Sequence, residues 1–242
     1  MTNEAIAAQQ QPTRKEASTG LPDYMSEVYD WAYVNPKWVR FLDRNAVVST
    51  LLFGNAGRLM RAYLNRIRPG MRVWQVAHVY GDLVRKVAER VGADGHFDVT
   101  DVTPIQVSQA KKKLANVAQA QVIEHDASSW GGGPEYDLVC SFFLLHEVPD
   151  PLKRAVVDRM LSRVGPNGSL LFVDYHRPAP WQPVGWLLRL VNRYLEPFAY
   201  TLWRTDIRDL ASTPNAFSWR KRTIFGGVYQ IVEVTPLHSA SK

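Results

Sequence analysis

Between residues 72 and 175 the sequence switches repeatedly between short apolar runs and segments with helical spacing, and this alternation constrains the fold more than any other feature. Runs at 72–77, 96–102, 121–125, 136–143 and 169–175 predict strands. Segments 81–91, 104–118 and 151–164 space their apolar residues three and four apart and predict helices. Pro104 suits the first turn of the second helix, where its missing N–H is not needed. The run 136–143 is apolar almost throughout, as expected of a central parallel strand covered on both faces. Together these features predict a doubly wound α/β sheet, mostly parallel. Gly165-Pro166-Asn167-Gly168 predicts a turn before the fifth strand. Farther on, 222–225 and 228–234 flank Gly226-Gly227 and predict a C-terminal antiparallel hairpin.

The flanks read differently. Residues 1–20 are polar and predict a disordered tail. Segment 21–68 has helical spacing up to Pro69-Gly70 and predicts an N-terminal helical cap on a 69–242 sheet domain. An aromatic helical insertion is expected over 176–215. Within it, 181–203 reads as an amphipathic helix, with Trp186, Leu187, Leu190, Val191, Tyr194 and Leu195 on one side and Arg189, Asn192 and Arg193 on the other. Such a helix either lies at a membrane interface or simply covers the domain. Arg189, Arg193 and Glu196 interrupt it, so it is not expected to span a bilayer. The net charge of +6 is compatible with an anionic ligand or a membrane surface. No nucleic-acid-binding motif is present, and no nucleic-acid partner is expected. Eight tryptophans and ten tyrosines favour an apolar ligand or an interfacial surface. Cys140 is the single cysteine, which suits a reducing compartment, and the first residues lack the apolar core of a secretory signal; a cytoplasmic location is expected.

Open α/β sheets bind ligands beyond the carboxyl ends of their strands, where the strand order reverses. Gln75 to Gly81, Asp101, Asp126, His146-Glu147 and Asp174-Tyr175-His176 all fall at such ends. Asp101 can accept the two hydroxyl hydrogens of a ribose or serve as a helix cap; Asp126 can accept from an adenine amino group or be an ordinary loop carboxylate. Ala77, Val79, Val102 and Ala127 would complete that wall. His146, Glu147, Asp174 and His176 are candidate ligands for a hard or borderline cation, none with diagnostic spacing. His78, Tyr80, His146 and Tyr175 are candidates for proton transfer or for positioning a substrate oxygen.

The ordered set Val99-Thr100-Asp101-Val102-Thr103-Pro104, His125-Asp126-Ala127, Tyr136-Asp137-Leu138-Val139, Leu144-Leu145-His146-Glu147-Val148-Pro149-Asp150 and Gly165-Pro166-Asn167-Gly168 resembles the ubiquinone/menaquinone methyltransferases. That resemblance implies a class I, Rossmann-like S-adenosylmethionine methyltransferase fold. It also shows a departure. The family carries an acidic residue and three alternating glycines after strand one, where this chain has Gln75, Ala77, Val79 and Gly81. With this departure, Gln75 to Gly81, Ser141 to Glu147, Val173 to Pro178 and Leu195 to Ala199 are similar to the RquA family of rhodoquinone biosynthesis proteins, as are Trp31-Ala32-Tyr33 and Leu42-Asp43-Arg44. The narrower resemblance implies conversion of ubiquinone to rhodoquinone, with S-adenosylmethionine as amino donor and manganese in support. It implies peripheral association with the inner membrane. Tyr29, Tyr33, Trp186 and Tyr194 are then expected around the quinone. The alternatives are a methyltransferase acting on a quinone or another lipophilic acceptor, and a binding subunit without catalysis.

Overall fold

A computed structural model of the protein describes residues 39, 41–131, 133–194 and 196–237; the expected tail, Tyr29, Tyr33 and Leu195 lie outside them. Helices α1 (Asn45–Leu51) and α2 (Ala56–Leu64) lead into β1 (Arg72–Val76). There follow α3 (Leu83–Val91), β2 (His96–Asp101), α4 (Pro104–Lys113), β3 (Ala120–Glu124), β4 (Tyr136–Phe142), α5 (Asp150–Leu161) and β5 (Val164–Tyr175). Helix α6 (Val184–Tyr194) and 3-10 turns at Pro197–Trp203, Ile207–Leu210 and Pro214–Ala216 precede the hairpin β6 (Phe217–Ile224) and β7 (Tyr229–Pro236).

The strands form one sheet in the order β3-β2-β1-β4-β5-β7-β6. Strands β1 to β5 run parallel; β7 is antiparallel to both β5 and β6. Alternate side chains leave a strand on opposite faces. Val73, Phe97, Leu138 and Leu171 therefore join the core that includes α2 and α3, whereas Trp74, Val139, Leu170 and Val232 pack with α5. Each fully buried Leu or Val contributes about 2 kcal/mol, so β4, apolar on both faces, anchors the centre. The strand order reverses between β1 and β4, which sets the crevice at their carboxyl ends.

Three local expectations change. The helical spacing before β1 is broken at Phe53 (φ +49°) and Gly54 (φ +76°), and the Asn55 side chain donates to the carbonyls of Leu52 and Phe53. The Gly165–Gly168 turn is instead absorbed into β5: Tyr136 pairs with Val164 and Leu138 with Ser169, so the chain bulges between them. A Cβ at Gly168 would lie 2.6 Å from the Tyr136 carbonyl, so this close approach needs glycine. Helix α6 spans only part of the expected 181–203 helix, and it does not turn Trp186 and Tyr194 inward as expected for quinone contacts. Gly185, Leu188 and Asn192 point inward, while Trp186, Leu187, Leu190 and Tyr194 are exposed. The inward stripe is selected by a close approach at Gly185, where a Cβ would sit 3.2 Å from Pro178.

Candidate active site

A cavity of about 530 Å³ opens at the carboxyl ends of β1, β2 and β4. Ligand sites commonly measure roughly 300–1,000 Å³. At one end it is lined by Ala77 to Tyr80, Asp101, Val102, Asp126 and Ala127, and at the other by Phe143, His146, Glu147, Tyr175 and Glu196. Leu51 and Phe53 cover it from the amino-terminal side; Leu187, Leu188, Val191 and Asn192 cover it from α6.

The first end is held from beneath by backbone. Asp101 Oδ2 accepts the His78 N–H at 2.9 Å and Oδ1 the Thr103 N–H at 2.8 Å. Burial nevertheless pushes the carboxyl up to about 6. A carboxylate has about four acceptor positions, so capacity remains for ligand hydroxyls. Asp126 Oδ1 accepts the Ser128 N–H at 2.8 Å, and the side chain stays exposed in the cavity wall. Lys113 Nζ lies 3.1 Å from His78 Nε2, and an ammonium can only donate, so Nδ1 carries the ring proton and donates to Gln106 Oε1 at 2.8 Å. Burial and then the Lys113 charge push the imidazole down to about 3. His78 is thus held as a neutral link between Lys113 and Gln106. Tyr80 accepts from Gln106 Nε2 at 2.8 Å, and burial raises its phenol well above the usual range.

The altered loop keeps a glycine-like backbone. Ala77 has φ +68° and Gly81 φ +86°. A left-handed conformation costs a residue with a Cβ about 1–2 kcal/mol, and such strain gathers at functional sites. Gly81 turns away from the cavity wall. Its N–H donates to Asp43 Oδ1 at 2.9 Å, and the Asp82 N–H donates to Asn45 Oδ1 at 3.1 Å. Lys113 Nζ donates to the same Asp43 oxygen and to the Gly81 carbonyl. Gln75 lies beneath the loop, fully buried. Its Nε2 donates to the Ala77 carbonyl at 3.0 Å, and its Oε1 has no partner among the described residues.

The second end is built from distant parts of the chain. One ligand atom each from His146, Glu147 and Glu196 lie within 4.8 Å of one another. Asp174 orients this group: Oδ1 is 2.8 Å from His146 Nδ1, and Oδ2 accepts the Leu145 N–H at 2.8 Å. Burial opposes charge on His146, but the Asp174 carboxylate overrides it and pushes the imidazole up to about 9. Several carboxylates around one imidazole make this end a place for positive charge. Phe143 turns the chain with φ +54°, and Tyr175 meets the His146 ring edge-on at 4.8 Å.

Of the four expected metal ligands, the structure brings His146 and Glu147 together and sets Asp174 behind His146. His176 lies elsewhere, its Nδ1 3.0 Å from the Gly227 carbonyl on the hairpin. Trp186 and Tyr194 face outward, stacked under Arg189 and Arg193, rather than into the cavity. Sequence reasoning missed two residues. Glu196 stands as a lone acid in an apolar segment, a signal that was available. Asn192, grouped by spacing with Arg189 and Arg193, is buried in the cavity lining with Nδ2 unpartnered among the described residues; nothing in the sequence marks it.

Residues 73–168 match the family model described as a methyltransferase domain. An uncharacterized methyltransferase of Synechocystis sp. is 26% identical, over 84% of this chain and 93% of its own length. The ubiquinone/menaquinone biosynthesis C-methyltransferase UbiE of Ectopseudomonas mendocina is 28% identical over 54% of each chain, so the match spans about half of that enzyme. Among solved structures, a SAM dependent methyltransferase from Aquifex aeolicus aligns with TM-score 0.55 at 15% identity, covering 84% of this chain and 99% of that one. The strand order, the antiparallel β7 and these likenesses make the fold that of the class I adenosylmethionine-dependent methyltransferases.

Proposed function

We propose that this protein converts ubiquinone to rhodoquinone, replacing a ring methoxy group with an amino group and using S-adenosylmethionine as the amino donor. The observation that carries the reading is the cavity with two unlike ends: a ribose-type acceptor at Asp101 and, under an apolar lid, the His146–Glu147–Glu196 cluster. Asp101 would accept the ribose hydroxyls and Asp126 the adenine amino group. The amine must be neutral to attack a quinone carbon. Neutral Gln75, in place of the carboxylate of the resembled family, favours that form. The ring carbon–nitrogen bond forms, the ring carbon–oxygen bond breaks, and the methoxy group leaves with an amine proton as methanol. The nitrogen–Cα bond of the donor then breaks as a Cβ proton passes to nitrogen and a Cα–Cβ double bond forms, which frees the aminoquinone and an unsaturated sulfonium acid.

Imidazole and carboxylate donors suit manganese, so His146 Nε2, Glu147 and Glu196 would hold the ion. Asp174 fixes the imidazole from behind. When bound, the ion would polarise a quinone oxygen. Asn192 Nδ2, without an acceptor among the described residues, can donate to a quinone oxygen from the lid, with Tyr175 flanking His146. The exposed Trp186, Leu187, Leu190 and Tyr194, interleaved with Arg189 and Arg193, fit a helix lying in a bilayer surface. Peripheral attachment at the inner membrane would bring the lid to its lipophilic substrate. No helix among the described residues is long and apolar enough to cross a membrane.

Likeness to the UbiE C-methyltransferases supports a second reading, methyl transfer to a quinone. Turnover of S-adenosylmethionine labelled with nitrogen-15 at its amine separates the two. Mass spectrometry should find the label in the quinone ring; a methyl gain without nitrogen sinks the amino-transfer reading. Gln75→Glu should slow amino transfer by favouring the ammonium, and a faster variant would contradict the role given to Gln75.

A further inference from the structure

A second depression, of about 330 Å³, lies between α6, the segment 177–182 and the turn Pro197–Trp203. Arg177, Arg189 and Arg204 line it. Among the described residues no carboxylate pairs with any of the three. An anion seated among them would be attracted by all three. Trp203 also lines the depression, and its indole N–H is buried without an acceptor among the described residues. A ligand that engaged all of these groups would be a compact anion with several acceptor oxygens, and guanidinium forks match phosphate best.

The rest of the fold builds this site. The Ala179 N–H donates to the Gly226 carbonyl at 2.8 Å. A Cβ at Gly227 would come within 2.9 Å of the Arg177 carbonyl, so the Gly-Gly hairpin is what lets the arginine-bearing segment lie there. The Tyr200 hydroxyl donates to the Arg189 carbonyl at 3.0 Å and ties the turn to α6. Beside the depression stand Trp181 and Trp186, 73% and 72% exposed. Exposed tryptophans prefer the depth of lipid headgroups.

We propose that this depression binds the phosphate of an anionic phospholipid headgroup and so sets the orientation of α6 on the bilayer. The proposal rests on the interfacial reading of α6 but not on the reaction chemistry. Its test is co-sedimentation of the full chain with phosphatidylcholine vesicles, with and without phosphatidylglycerol, at constant ionic strength. Phosphatidylglycerol should strengthen binding, and Arg177→Gln, Arg189→Gln and Arg204→Gln should each weaken it about fivefold, with the melting temperature unchanged. Unaltered vesicle binding in these variants overturns the proposal. So does an equal loss on substituting Arg85 and Arg90 by Gln on α3, since that would reveal general attraction to the surface. Inorganic phosphate, followed by tryptophan fluorescence, provides the soluble arm; binding as tight as that to phosphatidylglycerol vesicles would make free phosphate the ligand and overturn the lipid assignment. Turnover of a short-chain quinone without vesicles should survive all three arginine variants. Its absence in the unaltered protein, with vesicle binding intact, would count against the reaction and leave the headgroup site standing.

Discussion

At the β1–β3 end of the cavity the protein has already satisfied most of its own polar groups. Asp101 is braced by two backbone N–H groups, His78 is engaged through both ring nitrogens, and Gly81 is tied to Asp43. At the β4–β5 end charge gathers: His146, Glu147 and Glu196 crowd together, and Asn192 Nδ2 has no acceptor among the described residues. The first end is a rigid receptacle whose shape is stored in hydrogen bonds. The second is an arrangement of charges that a bound group would complete. Preorganisation thus marks the end proposed to hold the donor, and clustered charge marks the end proposed for the reaction.

The largest effect should come from the second end. Glu196→Ala should cut manganese affinity by about 100-fold, because loss of a ligand costs at least what loss of its supporting partner does. Calorimetric titration with Mn²⁺ reads this directly, and unchanged affinity would remove the cation from that end. At the first end, Asp101→Ala should weaken S-adenosylmethionine binding by about 1–3 kcal/mol. Equal affinity in the variant would take Asp101 out of the ligand wall.

The third effect concerns acid. His78 is held neutral in the fold, with its pKa depressed from 6.5 to about 3. Its contribution is therefore complete above the unfolded value and is lost as pH falls toward the folded one. From about pH 7 to about pH 5 the loss should reach about 2 kcal/mol. Asp101, with a raised folded value, acts in the opposite sense as pH falls through about 6. Denaturant titrations of His78→Gln isolate the histidine, and a pH slope as steep as that of the unaltered protein would refute the neutral link. The smallest effect should be that of Ala77→Gly. Glycine relieves the left-handed strain but loosens the unfolded chain, so Ala77→Gly should move stability by less than about 1 kcal/mol. Ala77→Val should destabilise by about 2 kcal/mol or more, because a β-branched side chain fits φ > 0 poorly. Chemical denaturation midpoints compare the pair.

The first end was far more legible in the sequence than the second. Asp101 and Asp126 could be placed by counting, since strand length and loop spacing carry them to the sheet's edge. His146 and Glu147 followed the same rule. Glu196 did not: the chain travels through β5 and α6 before reaching it, and its approach to His146 is a consequence of packing. Asn192 failed for another reason. Helical spacing shows that α6 has two sides but not which one faces the cavity. The Gly185–Pro178 approach decided that, and it turned Trp186 and Tyr194 outward.

By itself the sequence determined the alternation of strands and helices, the buried centre at β4, the hairpin and the acidic residues at the strand ends. These depend on periodicities of two and of about four residues, which are local and survive in a linear reading. Tertiary structure alone decided which stripe of α6 is covered, that Asp174 stands behind His146, that Asp43 and Lys113 lock the altered loop, and that three arginines share one depression. Each of these joins residues far apart in the chain, and their proximity arises from close packing of whole elements rather than from any spacing along the backbone.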